Sequence, residues 1–392
     1  MTTSPSSSQG VTAASGFEAA GVVAGLKSTG APDLALVRNL GPLYAAAGVF
    51  TSNRVFAAPV GWSRAAVADG RIEAVVLNSG GANACTGEPG RQDTARTAVV
   101  VAEQLGCSTS DVAVCSTGLI GARLPMDKVE VGVLEAVAAL NTSGGTAAAS
   151  AIMTTDTVPK TSQATGVGGY VVGGMAKGAG MLAPGLATML VVVTTDASVD
   201  PSSLDTALRA ATHLTFDRAD SDGCMSTNDT VLLMANGASG VAPDLAEFTD
   251  VLTTVCADLA RQLIADAEGA EHEVAIDVVN AASEADALEV ARAVARSNLF
   301  KCAIAGNDPN WGRVVSAVGT TKATFDPDLL DVAFNGVMVC RAGGIGEDRS
   351  LVDLHPREVH VTIDLHAGAE QATIWTNDLT HGYVSENADY PT

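Results

Sequence analysis

Positive charge is scarce in this sequence. Only 22 lysines and arginines stand against 44 acidic residues, a formal net charge of −22 over 392 residues. With no basic surplus to release counterions, the chain is poorly suited to a nucleic-acid backbone, and equally to an anionic membrane surface. Charged residues of both signs make up 17%, against a usual share of about 25%, and aromatics only 4%. Long apolar runs are missing too. The longest, near Met181–Val193, is broken by Pro184, Gly185 and Thr188, short of the roughly 18 residues a membrane helix needs. Residues 1–10 lack basic and apolar signal regions and read as a disordered tail, not a signal peptide. The seven cysteines are scattered, odd in number and form no CxxC pair, so no disulfide framework is expected. No HExxH occurs, and the zinc-like spacing of His355 and His360 has no upstream cysteine pair, so no metal site is expected. A reducing cytoplasm is the expected compartment.

What is present is small and apolar: 47% hydrophobic residues and 40 glycines, enough for a substantial core. The length suits two or three domains, or one large α/β body with an appendage. Strand-like runs are Ala74–Asn78, Val112–Cys115, Tyr170–Gly173, Met189–Thr194, Thr230–Met234, Val274–Val279, Val332–Cys340, Glu358–Asp364 and Gln371–Thr376. Helical spacing marks Cys256–Ala265, and Ser283 with Asp286 forms a capping box before a helix through Ala295. Such a mixture implies a layered α/β fold. Gly144–Gly145 and Gly237–Pro243 are the best linker candidates.

Glycine abundance raises the question of a phosphate loop. Gly173–Gly180 contains Lys177, but lacks the Gly-Lys-Ser/Thr order of a P-loop and any complete GxGxxG. The same segment runs through small residues and a Pro184-Gly185 turn to Thr188, where a hydrophobic run begins. Two readings are open there. Thr188 can be a β-branched residue starting a strand. It can also be a self-processing nucleophile, whose hydroxyl attacks the Ala187 carbonyl and whose freed α-amine then serves as general base.

Seven segments bear on that choice: Asn-Ser-Gly-Gly-Ala-Asn-Ala-Cys-Thr-Gly at Asn78–Gly87, Ser-Thr-Gly-Leu-Ile-Gly at Ser116–Gly121, Met-Thr-Thr-Asp-Thr at Met153–Thr157, Lys177–Leu190, Ser-Thr-Asn-Asp-Thr at Ser226–Thr230, Asp-Pro-Asn-Trp-Gly-Arg at Asp308–Arg313, and Tyr-x-x-x-Asn-x-x-Tyr-x-Thr ending at Thr392. In this order, over nearly the whole chain, they resemble the ornithine acetyltransferases of arginine biosynthesis, also called glutamate N-acetyltransferases.

The resemblance implies an αββα sandwich like that of N-terminal-nucleophile hydrolases, with a smaller second α/β domain. The expected division is a main domain over 11–245, completed by C-terminal strands in about 355–392, and a smaller domain over 246–354. It implies cleavage between Ala187 and Thr188 into an α chain, 1–187, and a β chain, 188–392, assembled as an α2β2 heterotetramer. Thr188 is the implied nucleophile, with Thr117 and Gly118 as the oxyanion pair. Thr154, Lys177, Thr188, Glu268, Asn387 and Thr392 match substrate-binding positions. Lys177, one of six lysines, offers a cation for the α-carboxylate of N2-acetylornithine or glutamate; Glu268, Asn387 and Thr392 offer acceptors for the ornithine ammonium. No cofactor is implied, although some relatives accept acetyl-CoA as donor. The chain departs from the family pattern at Glu271 and His272, at Ser221 and at Gly185. Two other readings remain: a self-cleaving aminopeptidase or amide hydrolase in which water replaces glutamate, and an uncleaved metabolite-binding protein.

Overall fold

A computed structural model of the chain describes residues 9–183 and 189–389. The chain divides into two compact units, one of Met1–Met181, Gly185–Asp217 and Cys224–Leu263, the other of Leu182–Pro184, Arg218–Gly223 and Ile264–Thr392.

The first unit holds strands β1 (Phe17–Val22), β2 (Leu34–Asn39), β3 (Ala45–Phe50), β4 (Ala74–Asn78), β5 (Val112–Ser116), β6 (Lys160–Thr165), β7 (Val171–Lys177), β8 (Leu190–Thr195) and β9 (Thr230–Ala235). Its helices are α1 (Ala58–Ala66), α2 (Gly87–Leu105), α3 (Met126–Ala139), α4 (Gly145–Ala151), α5 (Pro201–Leu214) and most of α6 (Leu245–Ala265). The strands form a four-stranded sheet, β1-β2-β4-β5, and a five-stranded sheet, β3-β9-β8-β7-β6.

The period-2 alternation of side chains builds the layers. Leu34, Leu36, Ala74 and Val76 face α2 and α3, in a core with Val101, Val129 and Val133. Their neighbours Ala35, Val37, Val75 and Leu77 face the other way, onto Met175, Leu190, Val192, Leu232 and Met234 of the second sheet. Leu259 and Val255 of α6 cover the far side of that sheet at Gly174. The order is helices, sheet, sheet, helices, the αββα sandwich expected. The parallel pairs β4–β5 and β8–β9 are joined through α2 and α5. All four strands are buried at every position, as strands covered on both faces are.

The second unit holds β10 (Glu273–Ala281), β11 (Asp331–Phe334), β12 (Val337–Arg341), β13 (Gly344–Ile345), β14 (Glu358–Asp364) and β15 (Glu370–Asn377), with α7 (Glu284–Ala295), α8 (Asn298–Ala305), α9 (Trp311–Val318) and α10 (His381–Ala388). The sheet order is β13-β12-β11-β14-β10-β15. Val274, Ile276, Val359, Val361, Ile363 and Ile374 share one core with Leu288, Ala291, Val294, Phe300, Ile304 and Val314 from the helices. Ser283 caps α7 as expected, its Oγ accepting from Asp286 N at 3.1 Å, while the Asp286 carboxylate accepts from Thr324 N.

Several expectations are corrected. The C-terminal strands do not complete the main domain: β14 pairs parallel and β15 antiparallel with β10, so both belong to the second unit. The run Val332–Cys340 is a hairpin, not one strand. Asn335 and Gly336 both take positive φ, 46° and 83°, the conformation of a tight Asn-Gly turn. Neither linker candidate divides the units. Gly144 and Gly145 are buried at the start of α4, where a Cβ on Gly144 would lie 1.8 Å from the Ala19 carbonyl oxygen; Gly237–Pro243 joins β9 to α6. Of the expected tail, residues 1–8 lie outside the described residues, and Gly10 is buried, its carbonyl packed on Gly173 of β7.

Candidate functional site

Strand ends from both sheets of the first unit meet in one place. β5 ends at Ser116, β7 ends at Lys177, and β8 and β9 begin at Leu190 and Thr230. Lys177 pairs with Leu190 across the second sheet, two residues beyond Thr188. Ala187 and Thr188 themselves lie outside the described residues, as does Thr392.

Thr117 follows β5 and is buried; its N–H donates to the Asn78 carbonyl at 3.0 Å. Its Oγ accepts from Lys177 Nζ at 3.2 Å, and a hydroxyl that accepts one bond keeps its own proton to give. Gly118 has φ +126°, and a Cβ there would lie 2.8 Å from Gly81 N. Only glycine suits that approach. The motif around Gly80 and Gly81 is thus the wall behind Gly118. Asn83, at φ 49°, folds the same loop back by donating to Gly90 O and Thr94 Oγ. Thr117 therefore offers a hydroxyl and Gly118 an N–H on a rigid backing, the donor types an oxyanion needs.

Asp156, which sequence reasoning passed over as part of Met-Thr-Thr-Asp-Thr, organises the cationic side. Its Oδ1 accepts from Lys160 Nζ at 2.6 Å and from Gly178 N at 2.7 Å, and its Oδ2 from Thr154 N at 2.9 Å. Lys160 and Lys177 are 0% and 1% exposed. Burial alone would raise the Asp156 carboxyl, but the ammonium groups of Lys177 and Lys160 outweigh it and hold the group at about 2. One carboxylate thus fixes Thr154 and the residue after Lys177. Lys27 adds a further tie, donating to Met153 O at 2.6 Å. In the sequence only Lys160, four residues on, hints at this; the approach of Lys177 is tertiary.

Ser226–Thr230 is the other feature without an assigned role. Asn228 Nδ2 donates to Ala82 O and Ser116 O at 2.7 and 2.8 Å. Asp229 Oδ1 accepts from Met189 N at 3.1 Å. Burial drives the Asp229 carboxyl well above its ordinary range, against the opposing Met189 N–H, Ser226 hydroxyl and Lys177 charge.

Glu268 and Asn387 come together in the second unit. Asn387 Nδ2 donates to Glu268 Oε2 at 2.9 Å and to Tyr383 O at 3.0 Å. Gly269 allows this: at φ +63° its Cα lies so near α10 that a Cβ would be 2.1 Å from Tyr383 N. Of the departures from the expected pattern, Gly185 lies outside the described residues, and the others are built in. His272 is buried with Nδ1 2.7 Å from Asp378 Oδ2 and Nε2 3.0 Å from Leu354 O. Glu271 N and His272 N both donate to Asp378 Oδ1. Ser221 Oγ donates to Asn377 Oδ1, which also accepts from the buried Lys301. Among the described residues no group of three or more His, Cys, Asp or Glu could hold a metal ion, and no helix is long and apolar enough to cross a membrane.

Known proteins are similar to this chain over nearly its whole length. The ArgJ family profile matches residues 18–392. The arginine biosynthesis bifunctional protein ArgJ of Streptomyces avermitilis is 65% identical over 97% of this chain and 99% of its own length. That of Streptomyces coelicolor is 63% identical over the same shares. A crystal structure of ornithine acetyltransferase with ornithine, from Mycobacterium tuberculosis, is 56% identical over 46% of this chain and 96% of that chain, with a TM-score of 0.45.

Proposed function

The chain belongs to the ArgJ family, and from that membership we propose a covalent reaction path through Thr188. The enzyme is an acyltransferase of arginine biosynthesis. It moves acetyl from N2-acetyl-L-ornithine to L-glutamate, giving L-ornithine and N-acetyl-L-glutamate. The observation that carries the residue assignment is the Lys177–Thr117–Gly118 arrangement at the converging strand ends, directly before β8.

The path has two parts. In maturation, the Thr188 hydroxyl attacks the Ala187 carbonyl carbon, the peptide C–N bond breaks, and an ester forms as the Thr188 amine takes a proton. Water then hydrolyses the ester, leaving an Ala187 carboxylate and a free Thr188 α-amine. In turnover, that amine accepts the hydroxyl proton while Oγ attacks the acetyl carbon. The tetrahedral oxyanion takes donors from Thr117 and Gly118, with the Lys177 ammonium directly behind the Thr117 hydroxyl. Ornithine leaves with the proton on its amine, and the glutamate amine then takes acetyl from Thr188. Lys177 and Thr154 are assigned to the substrate α-carboxylate; Glu268, Asn387 and Thr392 are assigned to the ammonium end on the family resemblance. The matured α and β chains are proposed to assemble as an α2β2 heterotetramer in the cytoplasm. No cofactor is required, and acetyl-CoA is proposed as a second acetyl donor.

A denaturing gel with N-terminal sequencing tests maturation: two fragments are expected, the larger beginning Thr-Met-Leu-Val, and Thr188→Ala should stay full length and inactive. Parallel double-reciprocal lines for acetylornithine and glutamate, and a β chain heavier by one acetyl group when glutamate is withheld, test turnover. Activity of uncut protein, or intersecting lines without an acetylated chain, would remove the covalent path.

A further inference from the structure

Strands of separate sheets meet at the site, so something must set the distance between them. The Ser-Thr-Asn-Asp-Thr segment just before β9 is placed to do so. Asn228 and Asp229 are consecutive and buried, at 4% and 0% exposure. Adjacent residues in extended chain point to opposite sides, so one dipeptide can grip two neighbours at once.

On one side, both protons of Asn228 Nδ2 are used, on Ala82 O and Ser116 O. The Ser116 carbonyl belongs to the peptide that leads into Thr117, and the N–H of that same peptide is held by Asn78 O. That peptide plane is fixed at both ends immediately before the oxyanion residues. The Asn228 amide is itself oriented, since its Oδ1 accepts from Thr227 Oγ at 2.6 Å. On the other side, Asp229 Oδ1 holds Met189 N. That N–H belongs to the peptide joining residue 188 to residue 189. Thr230 N donates in turn to Met189 O, and Thr51 N to Asp229 O. The peptide entering the oxyanion pair and the peptide leaving residue 188 are therefore tied to adjacent side chains of one rigid strand start.

We propose that Asn228 and Asp229 act as a positioning clamp that sets the spacing between the oxyanion donors at 117–118 and the nucleophile at 188. This rests on the reading of Thr188, Thr117 and Gly118 given above. Among its described hydrogen bonds the clamp has none to Thr154 or Lys177, although the Lys177 charge reaches the Asp229 carboxyl, so it acts chiefly on turnover and self-cleavage rather than on substrate binding. Its bond to Met189 requires an acceptor, not a negative charge. No donor meets Asp229 Oδ2 with full hydrogen-bond geometry, and burial favours the neutral acid against the weaker pull of the Ser226 and Thr51 hydroxyls. Asparagine has the same shape and the same acceptor.

The test compares Asn228→Ala, Asp229→Ala and Asp229→Asn in the full-length chain, reading self-cleavage half-time, kcat and KM for acetylornithine and glutamate. A displacement of about 1 Å at a reacting group costs roughly 10²-fold. Losses of that order are expected in kcat and cleavage rate for the two alanine variants, with KM within about twofold. Asp229→Asn should stay close to wild type. If Asp229→Ala does not fold, Asn228→Ala and Asp229→Asn decide. Folded alanine variants with wild-type kcat and cleavage overturn the clamp, as does a loss confined to KM. An Asp229→Asn variant as impaired as the alanine would assign the acid proton itself a role and equally overturn it. Thr188→Ala run in parallel separates the two ideas: if it is uncut and inactive while the clamp variants are normal, only the clamp fails; if it is cut or active, the nucleophile assignment fails.

Discussion

Asp156→Asn tests how the buried cations beside the oxyanion pair are held. The substitution keeps the size of the side chain and removes one negative charge facing Lys160 at 2.6 Å, with Lys177 as its largest charge partner. Both lysines are essentially unexposed, so solvent does little to replace the lost charge. Removing one partner of a buried pair costs about 3–5 kcal/mol. The lowered carboxyl of the wild type offers a second figure. Lowering the carboxyl from the ordinary 3.8 to about 2 corresponds to about 2 kcal/mol at neutral pH. The substitution should cost more than protonation, because an amide keeps one acceptor oxygen but puts a donor where Thr154 N, or else Lys160 Nζ and Gly178 N, requires an acceptor. The sign follows from the lowered value. The unfolded chain takes up this proton first as pH falls, so the contribution is complete above 3.8 and fades as pH drops through about 2. Denaturant melts at pH 7 should show the variant weaker by about 3–5 kcal/mol. The gap between variant and wild type should then narrow when the melts are repeated from pH 5 down to pH 2. A variant within about 0.5 kcal/mol of wild type at pH 7, the range of an ordinary surface change, would refute the argument, as would a gap that does not change with pH.

Thr117→Ala removes one proposed oxyanion donor, and turnover should fall roughly 10²–10³-fold in a steady-state assay, with cleavage slowed as well. Unchanged turnover would place the oxyanion elsewhere. In the second unit, burial lowers the Lys301 ammonium from 10.5 to about 8, despite Asp220, Asp222 and Asp378. A base lowered in the folded state loses its proton there first, so this group makes stability rise with pH between about 8 and 10.5. Lys301→Met should abolish that rise in denaturant melts across this range. It should also cost about 1–3 kcal/mol at pH 7, because Ser221 O and Asn377 O lose their donor.

Much of this protein is local information, and that part was legible. Strands buried on both faces announce themselves as continuous apolar runs, so β4, β5, β8 and β9 could be placed within a residue or so at most ends. The cap at Ser283 is written in residues three apart. The family motifs single out Thr117, Gly118, Thr154 and Lys177, and all four share one site through Asp156, the Lys177–Thr117 bond and the adjacency of Gly118 to Thr117. The hairpin at Asn335-Gly336 was equally local, but its two strands read as one because apolar residues continue on both sides of the turn. What no stretch of sequence contains is which sheet a strand joins. Glu358–Asp364 carries the same in–out pattern whether it edges the first sheet or pairs with β10, and only the partner's register decides. The same holds for Asp156, Asn228 and Asp229. Alone, each is an ordinary polar residue in a Thr-rich stretch. Their roles come from long-range closure, which brings Lys177, Gly178, Ser116 and Met189 within hydrogen-bond reach in a dry interior, where an unmet donor or charge costs too much to leave unmatched.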